Sequence, residues 1–333
     1  MPGSPATLIT VAPTGAEADK SAAPALPVTL SELIVTAKEC EVAGAAVIHV
    51  HIRDEAARPT LDVSRLADTV AALREGTGLI VQLSTGGAVT DSFASRLAVL
   101  DAAPDACSLT CGTVNFGDDV FANPWPFIKD LYQLTQERQV VPEFELFDLG
   151  QVATLHRLLA EFGPPAGGHV HCDLVMGVPG GMPGDVATLA AAVAVLPAGA
   201  TWSATGIGRT ALPVMLGALG AGGHLRVGME DTLTFARGRP VARNAELVER
   251  AAELARLAQR PPCPPPRPAP SSPSPPAPPN PPAPAKPSKK SANDPSLPAG
   301  VYGCGNVHQR VCRLSQPYIG CGVSPLSRGA CEV

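Results

Sequence analysis

The chain has 333 residues, 45% of them apolar, 17% charged and 4% aromatic, which allows one large domain or two small ones. From Arg260 onward, 74 residues hold 20 of the 37 prolines, 5 of the 9 cysteines, and 8 basic against 2 acidic residues. The body before it is therefore at net −11, which excludes a nucleic-acid binder, because such a protein needs a cationic face to displace counterions from phosphates. No stretch of 18 apolar residues is free of Gly, Pro and charge, so no membrane-spanning helix is expected. Met1–Thr10 lacks the basic start of a secretory signal, and Cys40, Cys107, Cys111 and Cys172 lie in apolar runs without paired spacing. The expectation is a cytoplasmic protein with reduced, buried thiols.

Through residues 1–240 a short run rich in Val, Ile or Leu alternates with a longer Ala/Leu-rich stretch. The runs predict strands at Leu8–Ala12, Ala46–Ile52, Leu79–Ser84, Cys107–Val114, Val140–Phe147, His169–Met176, Thr201–Thr205 and Leu225–Met229. Helices are predicted over Leu30–Ala43, with Thr29 or Ser31 as N-cap and Gly44 as stop, then Asp62–Glu75, Asp91–Leu100 and Asn123–Arg138. Gly150–Phe162, Asp185–Leu196, Arg209–Gly220 and Asn244–Arg260 complete the set. Strands read as continuously apolar, each followed by a helix, predict a parallel sheet buried on both faces. Eight units of about 30 residues fit a (β/α)8 TIM barrel. The rival, an open doubly wound sheet, wants a Gly-rich phosphate turn after an early strand, and the first such turn reads Pro13-Thr14-Gly15-Ala16-Glu17. A TIM-barrel catalytic domain is thus expected over 1–259 and a disordered Pro-rich C-terminal tail over 260–333. Segment 261–287, with 16 prolines in 27 residues, forms neither helix nor sheet.

Chemistry concentrates at strand ends. Alternation puts His49 and His51 on one face of the second strand, aimed at a barrel mouth, where two imidazoles suit a divalent metal, zinc above all. A hydrogen-bonded histidine pair is the alternative. Closure brings the end of the eighth strand, Arg226-Val227-Gly228-Met229-Glu230-Asp231, to the same mouth. Glu230 there completes a two-His, one-carboxylate set, and Asp231 beside Arg226 is either a positioned base or an ion pair. Polar residues also end the first, third, fourth and fifth strands: Glu17, Ser84 and Gly87, Ser108 and Thr110, and Glu145. The Gly/Pro-dense 177–183 segment reads as a mouth loop, and His169 with His171 as inner-layer residues. The Gly206–Arg209 turn offers N–H groups and an arginine to an anion.

The strings HVHIRD, QLSTGGAV, SLTCGTVNFGDDVF, GVPGGMP, TWSATGIGR and GGHLRVGMEDT, in order over about 7–259, resemble the β-keto acid cleavage enzymes of the 3-keto-5-aminohexanoate cleavage type. The resemblance implies a zinc-dependent, homo-oligomeric TIM-barrel acyltransferase. It would turn a β-keto acid and acetyl-CoA into acetoacetate and a new acyl-CoA, with no nucleic-acid or membrane partner. It implies His49, His51 and Glu230 as zinc ligands and Arg226 with Asp231 as the catalytic pair. Glu17, Ser84, Gly87 and Ser108 match substrate-contacting positions, and Thr110 and Glu145 belong to the same pocket. Glu17 matches a position that meets an amino-bearing substrate; the other reading is that it braces its loop. Departures are Ala57 where the family usually has Gly, Ser108 where its best-known member has threonine, and the tail after Arg260, whose composition is that of a shifted reading frame or an added extension. Two rivals keep the histidines: a zinc aldolase or hydrolase without CoA, and a non-catalytic metal-binding scaffold needing neither Arg226 nor Asp231.

Overall fold

The computed structural model describes residues 6–266. Eight parallel strands close into a barrel: β1 (Ile9–Val11), β2 (Val47–Val50), β3 (Ile80–Leu83), β4 (Ala106–Thr110), β5 (Val141–Leu146), β6 (His171–Met176), β7 (Thr201–Gly206) and β8 (His224–Val227). Their order around the barrel is β1-β8-β7-β6-β5-β4-β3-β2. The seam closes at β1, where Thr10 pairs with Arg226 on one side and Val47 on the other. Eight helices cover the outside: α1 (Leu30–Ala43), α2 (Val63–Gly76), α3 (Phe93–Ala98), α4 (Trp125–Arg138), α5 (Leu149–Phe162), α6 (Val186–Ala194), α7 (Ala211–Gly220) and α8 (Asn244–Leu257). The chain is a (β/α)8 TIM barrel. No helix among the described residues is long and apolar enough to cross a membrane.

Local signals fix the helices. Thr29 caps α1 by accepting from the Glu32 N–H, while the Glu32 carboxylate accepts from the Thr29 N–H, a reciprocal capping box. Leu33, Ala37 and Cys40 then turn inward, and Gly44, at φ 121°, ends the helix. The predicted third helix is shorter than expected: α3 stops at Ala98 and a 3-10 turn, Val99–Ala102, follows.

The strands are not continuously apolar. Residues facing the helices are, as in Ile48, Val81, Leu83, Leu109, Phe144, Leu174 and Leu225. Alternate residues facing the axis are polar: His49, Gln82, Ser108, Glu143, Glu145, Asp173, Ser203 and Arg226, all buried. Each fully buried Leu, Ile or Phe contributes roughly 1.5–3 kcal/mol, so the shell between strands and helices carries the fold and the interior is released for chemistry. A small apolar plug, Val47, Ile80 and Ala106 with Leu8 and Val141, closes the bottom. Burial pushes the Cys40 and Cys172 thiols up to about 12, so these cysteines pack as small apolar groups.

Three two-stranded hairpins absent from the sequence reading decorate the mouth side: Ile52–Arg53 with Pro59–Thr60, Val114–Phe116 with Asp119–Phe121, and Thr234–Ala236 with Arg239–Pro240. Val114 thus leaves the fourth strand and joins a hairpin. After α8 the chain returns to the barrel: the Thr7 N–H donates to Pro261 O and the Cys263 N–H to Thr7 O. The remainder of the tail expected over 260–333, from residue 267 on, lies outside the described residues.

Candidate functional site

Parallel pairing sets His49 beside Gln82 across β2 and β3, and His51 follows one residue after β2 ends. The glutamine carboxamide lies 2.5 Å from His49 Nδ1. With Nδ1 carrying the proton toward the Gln82 carbonyl, the Nε2 lone pair is free. Glu230 arrives from the loop after β8, where its N–H donates to Ala12 O. That crossing requires Gly228, since a Cβ there would lie 1.9 Å from Ala12 O.

Each imidazole Nε2 is 3.7 Å from Glu230 Oε1, and one ligand atom from each of the three residues lies within 4.8 Å of the others. Glu230 Oε2 is buried without a hydrogen-bond partner. Burial, then the Arg226 charge, pulls His49 down to about 4, and burial lowers His51, so both are neutral donors. Burial would raise the Glu230 carboxyl, but the Arg226 guanidinium beside it outweighs burial and holds it at about 2. Two neutral nitrogens and one carboxylate with an orphaned oxygen are a set that fits a divalent ion such as zinc.

Arg226, buried on β8, holds the other half together. Its guanidinium donates to Glu230 Oε1, to Asp231 Oδ1 at 3.0 Å and to Glu145 Oε1 at 3.1 Å. Glu145 in turn accepts the Thr110 hydroxyl at 2.8 Å. One cation thus serves three carboxylates. Burial pushes Asp231 and Glu145 up to about 7 against the pull of Arg226, while Glu230 stays ionised. Next to them Asp173 accepts from the Ser203 and Thr205 hydroxyls at 2.9 and 2.7 Å, and burial raises its carboxyl too.

Of the residues expected from sequence, His49, His51, Glu230, Arg226, Asp231, Glu145 and Thr110 form one connected group. Ser84, just past the end of β3, and Ser108, on β4, are also buried: Ser84 Oγ accepts the Gly86 N–H, and Ser108 Oγ accepts the Thr85 N–H. Gly87, at φ 61°, lets the loop after β3 turn back over Asp91. Glu17 is exposed on the loop after β1, and its charge acts on Arg53. The second His pair departs from expectation: His171 faces Glu143 inside the barrel at 3.4 Å, whereas His169 is exposed, because β6 starts only at His171. Arg209 is exposed after β7.

Several supporting residues went unforeseen. Gln82 orients His49. Asn244, at the start of α8, accepts from the Met229 N–H and donates to Pro13 O, tying the β8 and β1 loops together. Arg53 donates to three carbonyls of the β1–α1 loop, those of Gly15, Ala16 and Ala18. Arg96, buried, stacks on Phe121 and Phe127 and donates to Thr85 O, holding the loop that carries Gly87. Gln82 was detectable as a lone amide at an inward position of an apolar strand; the others leave no local signal.

A sequence model of the beta-keto acid cleavage enzyme family matches residues 6–267. A 3-keto-5-aminohexanoate cleavage enzyme of Fusobacterium nucleatum is 37% identical over 252 residues, which cover 74% of this chain and 90% of that protein. A 3-oxoadipate:acetyl-CoA acetyltransferase of Cupriavidus necator is 33% identical over 251 residues, covering 74% and 87%. A 3-dehydrocarnitine:acetyl-CoA trimethylamine transferase of Rhizobium meliloti is 35% identical over 273 residues, covering 74% and 89%. Among solved structures, apo ObcA superposes with a TM-score of 0.62 at 21% identity, over 71% of this chain and 64% of that one, a likeness of fold.

Proposed function

The chain belongs to the β-keto acid cleavage enzyme family, and from that premise we propose that it condenses a β-keto acid with acetyl-CoA, giving acetoacetate and a new acyl-CoA, with zinc held by His49, His51 and Glu230. The observation that carries this reading is the convergence of that donor set with Arg226, whose one guanidinium reaches Glu230, Asp231 and Glu145. A non-catalytic scaffold would need the histidines but not this arginine.

A bound zinc ion would supply Lewis-acid stabilisation of negative charge on the keto oxygen. Asp231, fixed by two N–H groups of Arg226, is the proposed base at the carbon between the keto and carboxylate groups. Arg226 keeps Glu145 and Asp231 in register with Glu230, so the reacting carbon meets a positioned carboxylate. Ser84, Ser108, Thr110 and the Gly87 N–H are proposed to orient the substrate carboxylate and the developing oxyanion, with Glu17 a contact at the rim. Burial beneath the hairpins and loops of the mouth excludes water from these charges and strengthens them. Assembly as a homo-oligomer is also proposed, supported by an exposed uncharged face on α6 and α7 that includes Val186, Leu212 and Leu216.

The test incubates purified protein with a panel of β-keto acids and acetyl-CoA and follows acetoacetate and acyl-CoA by mass spectrometry. Elemental analysis should find about one zinc per chain, lost in His49→Ala. Full zinc in that variant removes the metal assignment; no acyl-CoA from any acid removes the activity.

A further inference from the structure

Apart from the main core, the molecule has a second apolar cluster at the mouth. Phe147, Val175 and Ile207 belong to the inward-facing series of β5, β6 and β7, each two positions beyond the polar residues Glu145, Asp173 and Thr205. Over them fold Phe116 and Phe121 of the 114–121 hairpin and Val178 of the Gly/Pro loop. The three rings meet edge to face, Phe116 lying 6.3 Å from Phe121 and 6.2 Å from Phe147. Phe116 and Ile207 remain half-buried, so the cluster keeps apolar surface accessible.

Its position relative to the reacting groups is fixed by the barrel. The His49–His51–Glu230 set sits at β2 and β8, which flank β1; β5 lies across the barrel from β1. Ser84 and the wall are neighbours across Gly86: a Cβ there would crowd both, standing 3.2 Å from Ser84 Oγ and from the tip of the Phe121 ring. A substrate held at the metal side and touching Ser84 therefore runs its far end onto the aromatic wall.

Charge decides what that far end can be. Arg96 lies 4.7 Å over the Phe121 ring and gives its N–H groups to uncharged acceptors, Thr85 O, Ala122 O and the Asn123 carboxamide. A cation already occupies one face of the ring, so an ammonium on the other is repelled. The buried carboxylates below the wall are committed, Glu145 to Arg226 and Thr110, Asp173 to Ser203 and Thr205. Glu17, which the family resemblance sets against an amino group, stands exposed on the β1 side beside Arg53. An anionic end would feel the Arg96 charge only through the ring, because the arginine N–H groups are taken by Thr85, Ala122 and Asn123, and it would lose its hydration against the rings without gaining a donor.

Building on the cleavage reading, we infer that this chain takes β-keto acids whose group beyond the keto carbon is neutral and apolar, and that Phe116, Phe121, Phe147 and Val178 select it. Three six-carbon acids test this with acetyl-CoA: 3-oxohexanoate with a neutral end, 3-keto-5-aminohexanoate with an ammonium, and 3-oxoadipate with a carboxylate. The neutral acid should exceed each charged one by at least roughly tenfold in kcat/KM. Phe116→Glu, on the half-buried hairpin, should move the ratio toward the amino acid by a similar factor. Turnover that favours a charged acid, or a ratio unmoved in a folded Phe116→Glu protein, overturns this inference alone. No acyl-CoA from any of the three overturns it together with the cleavage reading.

Discussion

His49 Nδ1 stands 2.5 Å from Gln82 Oε1, its neighbour across β2 and β3, and this contact directs Nε2 toward Glu230. Removing the partner leaves the ring free to rotate and to take the other tautomer. Gln82→Ala should weaken zinc binding by about 10- to 100-fold with the fold unchanged. Competition against a chromophoric chelator measures it, and unaltered affinity removes Gln82 from the site.

Arg226 is a fork shared by three carboxylates, which a lysine ammonium cannot imitate because it offers a point charge. Arg226→Lys should keep most of the stability and lower kcat/KM by at least about 100-fold, since orientation is what is lost. Arg226→Met strands the carboxylates and should destabilise the protein by about 3–5 kcal/mol in urea. A lysine variant with parental activity would make Arg226 merely structural.

The barrel and the His49–His51 pair were legible in sequence because they rest on local pattern. Each strand–helix unit repeats within about 30 residues, and His49-Val50-His51 carries its own alternation. The polar interior was less so: in β4 the sequence Ala-Cys-Ser-Leu-Thr looks apolar on average, and only closure shows that Ser108 and Thr110 share a face with Glu145. The partners that shape the site are remote in sequence. Gln82 is 33 residues from His49, Arg226 is 81 from Glu145, and Asn244 reaches Pro13 across 231. The hairpin at 114–121 was missed because strands of three residues carry almost no periodicity.

Gly15 packs directly on Glu230, the carboxylate of the proposed metal site. Its φ is 65°, Arg53 donates to its carbonyl at 2.7 Å, and a Cβ there would lie 2.7 Å from Glu230 Cγ. Gly15→Ala should displace Glu230, lowering zinc occupancy and kcat/KM together, while the strained φ lowers stability by about 1 kcal/mol. Loss of stability with full zinc and full turnover would show that the loop yields and Glu230 stays.

The C-terminal boundary is set by hydrogen bonds that run past α8. The Thr7 hydroxyl donates to Arg260 O, the Thr7 N–H to Pro261 O and the Cys263 N–H to Thr7 O, while the Arg260 guanidinium donates to Gly222 and Gly223 carbonyls. These contacts anchor the start of β1 and the turn before β8, the two strands that carry the Gly15 loop and Glu230. Removing everything after Pro266 leaves all of them in place, so that protein should match the full chain in Tm and kcat/KM. Removing everything after Leu257 deletes them. At about 1 kcal/mol for each of three hydrogen bonds, and more for the arginine, the shorter protein should lose at least about 3 kcal/mol. Thermal unfolding and turnover of the two truncations decide it. If the longer one is inactive, residues beyond 266 contribute to the site; if the two are equal, the Thr7 and Arg260 contacts carry no weight.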